Sequence, residues 1–201
     1  MQIDVSETGT DISKEKLGNY DVVLFNNANV LDKVFNEEQR NAIEEWYKDG
    51  GAIVGLHALL VHQENWPWIM ELGGCDFNSD SEFLKAKVVV DPSAMGHPAV
   101  KGMGEEFWYE ADWTNHTISV TGLPGLQVLL RVDESTYEPV REYFKTRGGV
   151  AMGEDHPIAW TRVWGGGRFF YTELGHDIRS LDTDFGRQHL IEGIKWVVKK
   201  E

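Results

Sequence analysis

Basic residues are scarce in this 201-residue chain: 19 Lys and Arg stand against 33 Asp and Glu, a formal net charge of −14. Proteins that track a phosphate backbone do so with clustered Lys and Arg that release counterions, so nucleic acid is not an expected partner. Cysteine is scarcer still. The lone Cys75 excludes an internal disulfide and fits a reducing cytoplasm. No apolar run approaches the roughly 20 residues of a membrane-spanning helix. The start, Met1-Gln2-Ile3-Asp4-Val5, has neither a basic leader nor the apolar stretch of a signal peptide. Neither membrane nor export is therefore expected. No repeat, low-complexity tract or proline-rich linker divides the chain, and a single domain over residues 1–201 follows, long enough for its own core.

What the sequence does hold is tryptophan and glycine, eight and 21 of them. Ile3 and Val5 alternate with polar neighbours as in an outer strand, and residues 20–25 form a short apolar run like a buried parallel strand. Asn36, with Gln39 three residues on, makes a capping box. Ala42, Ile43, Trp46 and Tyr47 then mark a helix face that ends at Gly50-Gly51. Residues 52–56 form a second buried-strand pattern, and strand, helix, strand in this order points to a right-handed crossover in an α/β sheet. Residues 85–90 and 127–132 are expected strands. Residues 158–164 and 168–173, joined through Gly165-Gly166-Gly167, read as a β-hairpin. From Asp184 to Lys200 the apolar spacing indicates an amphipathic helix, with Lys195, Lys199 and Lys200 near its carboxyl end.

Seven histidines are the main source of chemistry, since imidazole serves as ligand, acid or base near neutral pH. His57 follows the buried strand 52–56, at the sheet edge where open α/β folds place ligands. A strand-to-helix turn of this shape holds the nucleophile in hydrolases. Capping of the next segment, or a bond to a backbone carbonyl, accounts for this residue equally well. Glu173-Leu174-Gly175-His176-Asp177 places a second imidazole after a strand, and Glu110, Asp112, Glu173 and Asp177 are carboxylates that could join the pair. His57 and His176 are thus candidate acid/base groups or ligands of a divalent metal, although hydrogen-bonding roles at the strand ends remain the alternative. His156, before Pro157, is a loop anchor or an imidazole turned into a cleft; His62 and His116 read as surface residues. Trp66, Trp68 and Trp113 could supply aromatic faces beside Glu110 and Asp112, as a sugar site does, while packing explains them too. Cys75 has no basic neighbour and reads as an inert thiol.

Five motifs in order carry a family resemblance: residues 20–25, residues 50–58, Gly96-His97-Pro98 with Gly102, residues 155–160, and residues 166–172 through Gly175-His176. Together they resemble the trehalose-utilisation (ThuA-like) family over nearly the whole chain. The resemblance implies a flavodoxin-like fold related to class I glutamine amidotransferases, a mostly parallel sheet flanked by helices. His57 would stand where those enzymes carry their catalytic cysteine, so the chain is not expected to be a glutaminase. The family's usual first strand is expected to be missing here, or supplied by another copy in a homo-oligomer. Where the family tends to an Asp-Glu pair, this chain reads Glu110-Ala111-Asp112-Trp113. Sugar utilisation is the implied function, with a small disaccharide or its 3-keto form as substrate. His57, His176, Glu110 and Asp112 would then be catalytic, and Trp66, Trp68, Trp113 and His156 substrate-binding. A non-catalytic sugar-binding or protein-interaction module is the alternative.

Overall fold

The computed structural model describes residues 2–10 and 12–199. After a short α1 (Lys14–Leu17), β1 (Val22–Asn26) and β2 (Ala52–Leu56) pair in parallel, connected through α2 (Leu31–Val34) and α3 (Glu37–Lys48). The start of α3 obeys its sequence. Asn36 accepts a bond from the Gln39 backbone N–H, and the Gln39 side chain accepts one from Asn36 N–H. Two donors that a helix start leaves open are thereby satisfied. Beyond α4 (Pro67–Gly73) and β3 (Phe77–Asp80), the chain forms β4 (Leu84–Val90), β5 (Glu106–Ala111), β6 (Thr114–His116) and β7 (Leu126–Asp133). After α5 (Glu142–Lys145) come β8 (Pro157–Trp164), β9 (Gly167–Thr172) and α6 (Asp184–Val198). The expected last helix is present but ends two residues early, and Lys200 lies outside the described residues.

Seven strands form one sheet in the order β1-β2-β9-β8-β7-β4-β5, and β3 and β6 form a separate pair. The α/β class holds, but the expectation of a mostly parallel sheet is corrected. Only β1–β2 and β2–β9 run parallel; β9–β8, β8–β7, β7–β4 and β4–β5 are antiparallel. The cause is visible at the expected hairpin. Trp164 and Gly167 face each other across Gly165 and Gly166, at φ of 61° and 100°. Two positive φ angles in a two-residue loop suit a tight reversal that most side chains would resist. The hairpin also sits in the middle of the sheet. Ile3 and Val5, expected in an outer strand, are unpaired and 69% and 85% exposed.

Alternation along the central strands divides the core between two faces. Ile53, Phe169 and Tyr171 point to the side covered by α3 and α4, with Ile43, Tyr47, Trp66 and Ile69. Val54 and Phe170 point to the other side, beneath α6 and Val197. Each large side chain sealed this way contributes roughly 1.5–3 kcal/mol relative to exposure. Burial on both faces explains the continuous apolar pattern of residues 52–56. No described helix is long and apolar enough to cross a membrane.

Candidate functional site

Strand directions decide what meets at the sheet edge. With β8 and β4 antiparallel to their neighbours, β2, β9, β7 and β5 all run the same way and end on one edge. His57 follows β2, His176 follows β9, and Asp112 follows β5. Residues 112–116 then turn back over the sheet, because Thr114 N–H donates to the Glu173 carboxyl group at 3.0 Å and β6 pairs with β3.

His57 occupies a backbone conformation that side chains rarely adopt, φ of 44°, at the start of a single 3-10 turn. Such a position costs about 1–3 kcal/mol and persists only where neighbours fix it. They do so here. A Cβ on Gly55 would overlap Leu59, so glycine lets the turn fold onto the strand. The Tyr171 hydroxyl donates to the His57 carbonyl at 2.6 Å, and His57 Nδ1 donates to the Glu173 carbonyl at 2.9 Å. A carbonyl can only accept, so the proton resides on Nδ1 and Nε2 presents a lone pair. Burial holds His57 below its ordinary pKa, against the pull of Asp112.

That lone pair faces Asp112 Oδ2 at 3.7 Å. The same oxygen makes a very short contact to His176 Nδ1, and the two imidazoles stack with ring centres 4.5 Å apart. His57 and Asp112 are buried, whereas the His176 side chain is 48% exposed and opens the cluster to solvent. Asp112 Oδ1 is buried without a hydrogen-bond partner among the described residues. His57, Asp112 and His176 each offer one ligand atom, and these lie within 4.8 Å of one another. Two electron-rich atoms face each other, an arrangement that a proton donor or a cation would relieve.

Asp80 borders this centre and has no counterpart among the residues singled out from sequence. Burial raises its carboxyl to about 6, opposed by Arg141 and reinforced by Asp112. Arg141 Nε lies 2.6 Å from Asp80 Oδ1, and its guanidinium stacks on Phe144 at 4.9 Å. The run Asn78-Ser79-Asp80-Ser81 is polar without periodicity, so nothing in it marks a buried carboxylate.

Behind the centre lies a sealed set of partners. Burial pushes Glu173 up to about 8 and His116 down to about 4. At neutral pH Glu173 therefore keeps its proton and donates to His116 Nε2 at 2.9 Å, while its other oxygen accepts from Thr114 N–H. His156 donates from Nε2 to the Thr114 carbonyl at 2.8 Å and meets Glu134 through Nδ1 at 2.7 Å.

Several expected site residues are placed elsewhere. Glu110 lies on the exposed face of β5 opposite Lys85; the period-two alternation points it outward, and only beyond the strand end does Asp112 turn in. Trp66 is buried in the core with its ring nitrogen bonded to Glu44, and Trp68 packs against Trp66, Tyr47 and Trp164. Trp113 is sealed against Tyr137. The aromatic faces expected for a sugar are thus taken up by packing. His156 is fully buried with both ring nitrogens engaged, so of its two expected roles the structure favours the anchor and not the substrate contact in a cleft. His116 is likewise inside, not on the surface, because Glu173 and Trp160 enclose it. Burial keeps the Cys75 thiol protonated. A groove of about 630 Å³ between α1 and α3 is lined by Lys14, Asn36, Glu38 and Glu45. It contains no histidine and no converging buried polar atoms, so the functional reading follows the His57 centre instead.

A family model described as ThuA, trehalose utilisation, matches residues 1–197. Among solved structures, a ThuA-like protein from Bacteroides uniformis superposes with a TM-score of 0.80 at 25% identity, covering 98% of this chain and 77% of its own. A ThuA-like protein from Parabacteroides merdae follows at 0.66 and 17% identity, with the same coverage of both chains. A protein of Salmonella typhimurium described as cytoplasmic reaches 0.62 at 10% identity, covering 94% of this chain and 76% of that one, and shows the fold alone. No curated protein sequence matches the chain.

Proposed function

The chain belongs to the ThuA family, and from that premise we propose that it is a cytoplasmic enzyme transforming a sugar derivative, a 3-keto-glycoside, at the His57–Asp112–His176 centre. The observation that carries this reading is the convergence of His57 Nε2, Asp112 Oδ2 and His176 Nδ1 at the carboxyl edge of the sheet. A ketone acidifies the hydrogen on the neighbouring carbon. His57 Nε2, with its lone pair fixed by the Nδ1 bond to Glu173, would accept that proton. The electron pair released moves toward the keto oxygen and then expels the glycosidic oxygen from the anomeric carbon. His176, oriented by Asp112 as the histidine of a hydrolase triad is oriented by its carboxylate, returns a proton to the leaving oxygen. One C–H and one C–O bond break, a C=C bond forms, and no oxidant is consumed. In this proposal the fold is that of the amidotransferases, with an imidazole in place of their thiol.

The test is turnover of 3-keto-glycosides by His57→Ala and His176→Ala proteins. Each lost acid or base group is expected to lower kcat about 10²- to 10⁴-fold. Unchanged turnover in both variants overturns the reading. Saturable sugar binding by the unsubstituted protein, without product, would identify a binding module instead.

A further inference from the structure

We propose that His57 Nε2, Asp112 Oδ2 and His176 Nδ1 are the protein ligands of a divalent first-row transition ion of the zinc class, in an open site with further positions for solvent or substrate. The proposal rests on the reading of this point as the reacting centre, and adds the ion to it. Three features of the chain point to a cation. The buried lone pair of His57 faces a carboxylate oxygen 3.7 Å away, with no donor between them. Asp112 Oδ1, also buried, has no partner among the described residues, so the carboxylate has spare capacity on the same side chain. The Nδ1–H of His57 is held by the Glu173 carbonyl, the outer bond that metal-binding imidazoles usually make and that fixes the ligating nitrogen.

The donor set narrows the ion. Two imidazole nitrogens and one carboxylate oxygen suit zinc, cobalt, nickel or iron(II), whereas magnesium and calcium favour oxygen ligands throughout. Three protein ligands with a remaining open position is the composition of catalytic rather than structural zinc sites.

Geometry also states what must move. Ligands about 2.0–2.1 Å from a tetrahedral ion lie about 3.3 Å from one another, so the 3.7 Å between His57 Nε2 and Asp112 Oδ2 must contract and the short Asp112–His176 contact must lengthen. The stacked rings are 15° from parallel. In-plane lone pairs of parallel rings run side by side and cannot meet on one ion. His57 is buried and tied through Nδ1 and its carbonyl, so His176, half exposed, is the ring that turns. In doing so its Nδ1 exchanges the short contact with Asp112 for the ion. With the ion bound, His57 Nε2 and His176 Nδ1 would serve as ligands instead of exchanging protons with the substrate, and the ion would supply the polarisation of the keto oxygen that acidifies the neighbouring C–H.

The experiment is equilibrium dialysis of the full chain, stripped with chelator, against Zn²⁺, Co²⁺ and Mg²⁺, with elemental analysis and the visible spectrum of the Co²⁺ form. One Zn²⁺ or Co²⁺ per chain is expected, with no comparable uptake of Mg²⁺. His176→Ala changes a half-exposed side chain and should leave the thermal transition of the stripped protein unchanged. It should weaken Zn²⁺ at least about tenfold and alter the Co²⁺ spectrum. Asp112→Asn should act in the same direction, while His62→Ala, on an exposed side chain outside the cluster, should bind as the unsubstituted protein does. Equal uptake by the unsubstituted and His176→Ala proteins, or none by either, overturns the site. Keto-glycoside turnover that persists in stripped protein would leave the sugar reading standing without the metal. Stoichiometric metal without any turnover would leave the metal site standing and remove the sugar reading.

Discussion

Two groups of histidines and carboxylates lie within a few residues of each other in this molecule, and they differ in whether they reach solvent. In the inner group, His116 pairs with Glu173, and His156 joins Glu134 to the Thr114 carbonyl; Glu173 and both rings are nearly inaccessible. In the outer group, His57 and Asp112 turn electron-rich atoms toward each other, Asp112 keeps a spare oxygen, and His176 reaches solvent. The same residue types therefore perform different work. A sealed polar group bonded to its neighbours fixes the chain, whereas a carboxylate and imidazole that open to solvent are within reach of a ligand. The inner group also serves the outer one, since the residue whose side chain locks β6 to β9 offers its carbonyl to His57.

The contrast can be broken experimentally, and the largest effect should come from the outer group. Asp112→Asn preserves shape while removing the charge that orients His176. On the proposed reaction it should lower kcat about 10²- to 10⁴-fold with a thermal midpoint close to that of the parent. A comparable loss of stability would mean that Asp112 belongs with the structural set. Next comes Glu134→Leu, which strands His156 opposite an apolar side chain. Breaking a buried pair from one side costs about 3–5 kcal/mol, to be read from urea unfolding, while kcat of the folded protein should change little.

The sealed histidines should also set the acid limb of stability. His189, on α6, is held near 4 chiefly by burial, with a smaller contribution from His97, and donates to the Ala99 carbonyl at 2.9 Å. Because its folded-state pKa lies below the ordinary value of 6.5, the unfolded chain binds protons that the folded chain refuses. Its contribution is thus complete above pH 6.5 and is lost as pH falls toward 4, by up to about 3 kcal/mol. Unfolding curves across that window should be flatter for His189→Leu than for the parent. Gly55→Ala tests the seam between the two groups. A methyl there would crowd buried Leu59 and Tyr171 beneath His57, costing about 1–3 kcal/mol and lowering turnover with it. The smallest effect belongs to His62→Ala, whose exposed imidazole should be worth less than about 0.5 kcal/mol and nothing in turnover.

How much of this was legible in the sequence depended on whether a residue's fate was local. Asn36 and Gln39 declare a helix start within four residues, and Gly165-Gly166 declare a reversal. His57 and His176 were recognisable because each follows a buried strand and a nearby glycine, a pattern that already places a side chain at a sheet edge. Asp112 could be named but not separated from Glu110. The two differ only in that one lies inside β5 and the other just beyond its end. The Asp80–Arg141 ion pair and the Glu173–His116 bond, the latter between residues 57 apart, join distant segments, and no local pattern marks them. The tryptophans misled for a related reason, since an aromatic face looks the same in a cleft and in a core.

By itself, then, the sequence determined the α/β class, the acidic balance and the two strand-end histidines, which rest on periodicity, composition and turns within short windows, and the ThuA kinship, which rests on the resemblance of its ordered motifs to that family. Only the tertiary structure decided the mixed strand directions, the selection of Asp112 over Glu110, the tautomer of His57 and the division between sealed and solvent-reaching histidines. These depend on which distant carbonyl, carboxylate or ring occupies the adjoining space. That neighbour is set by how β5, β6 and β9 come together rather than by the residues beside it in the chain.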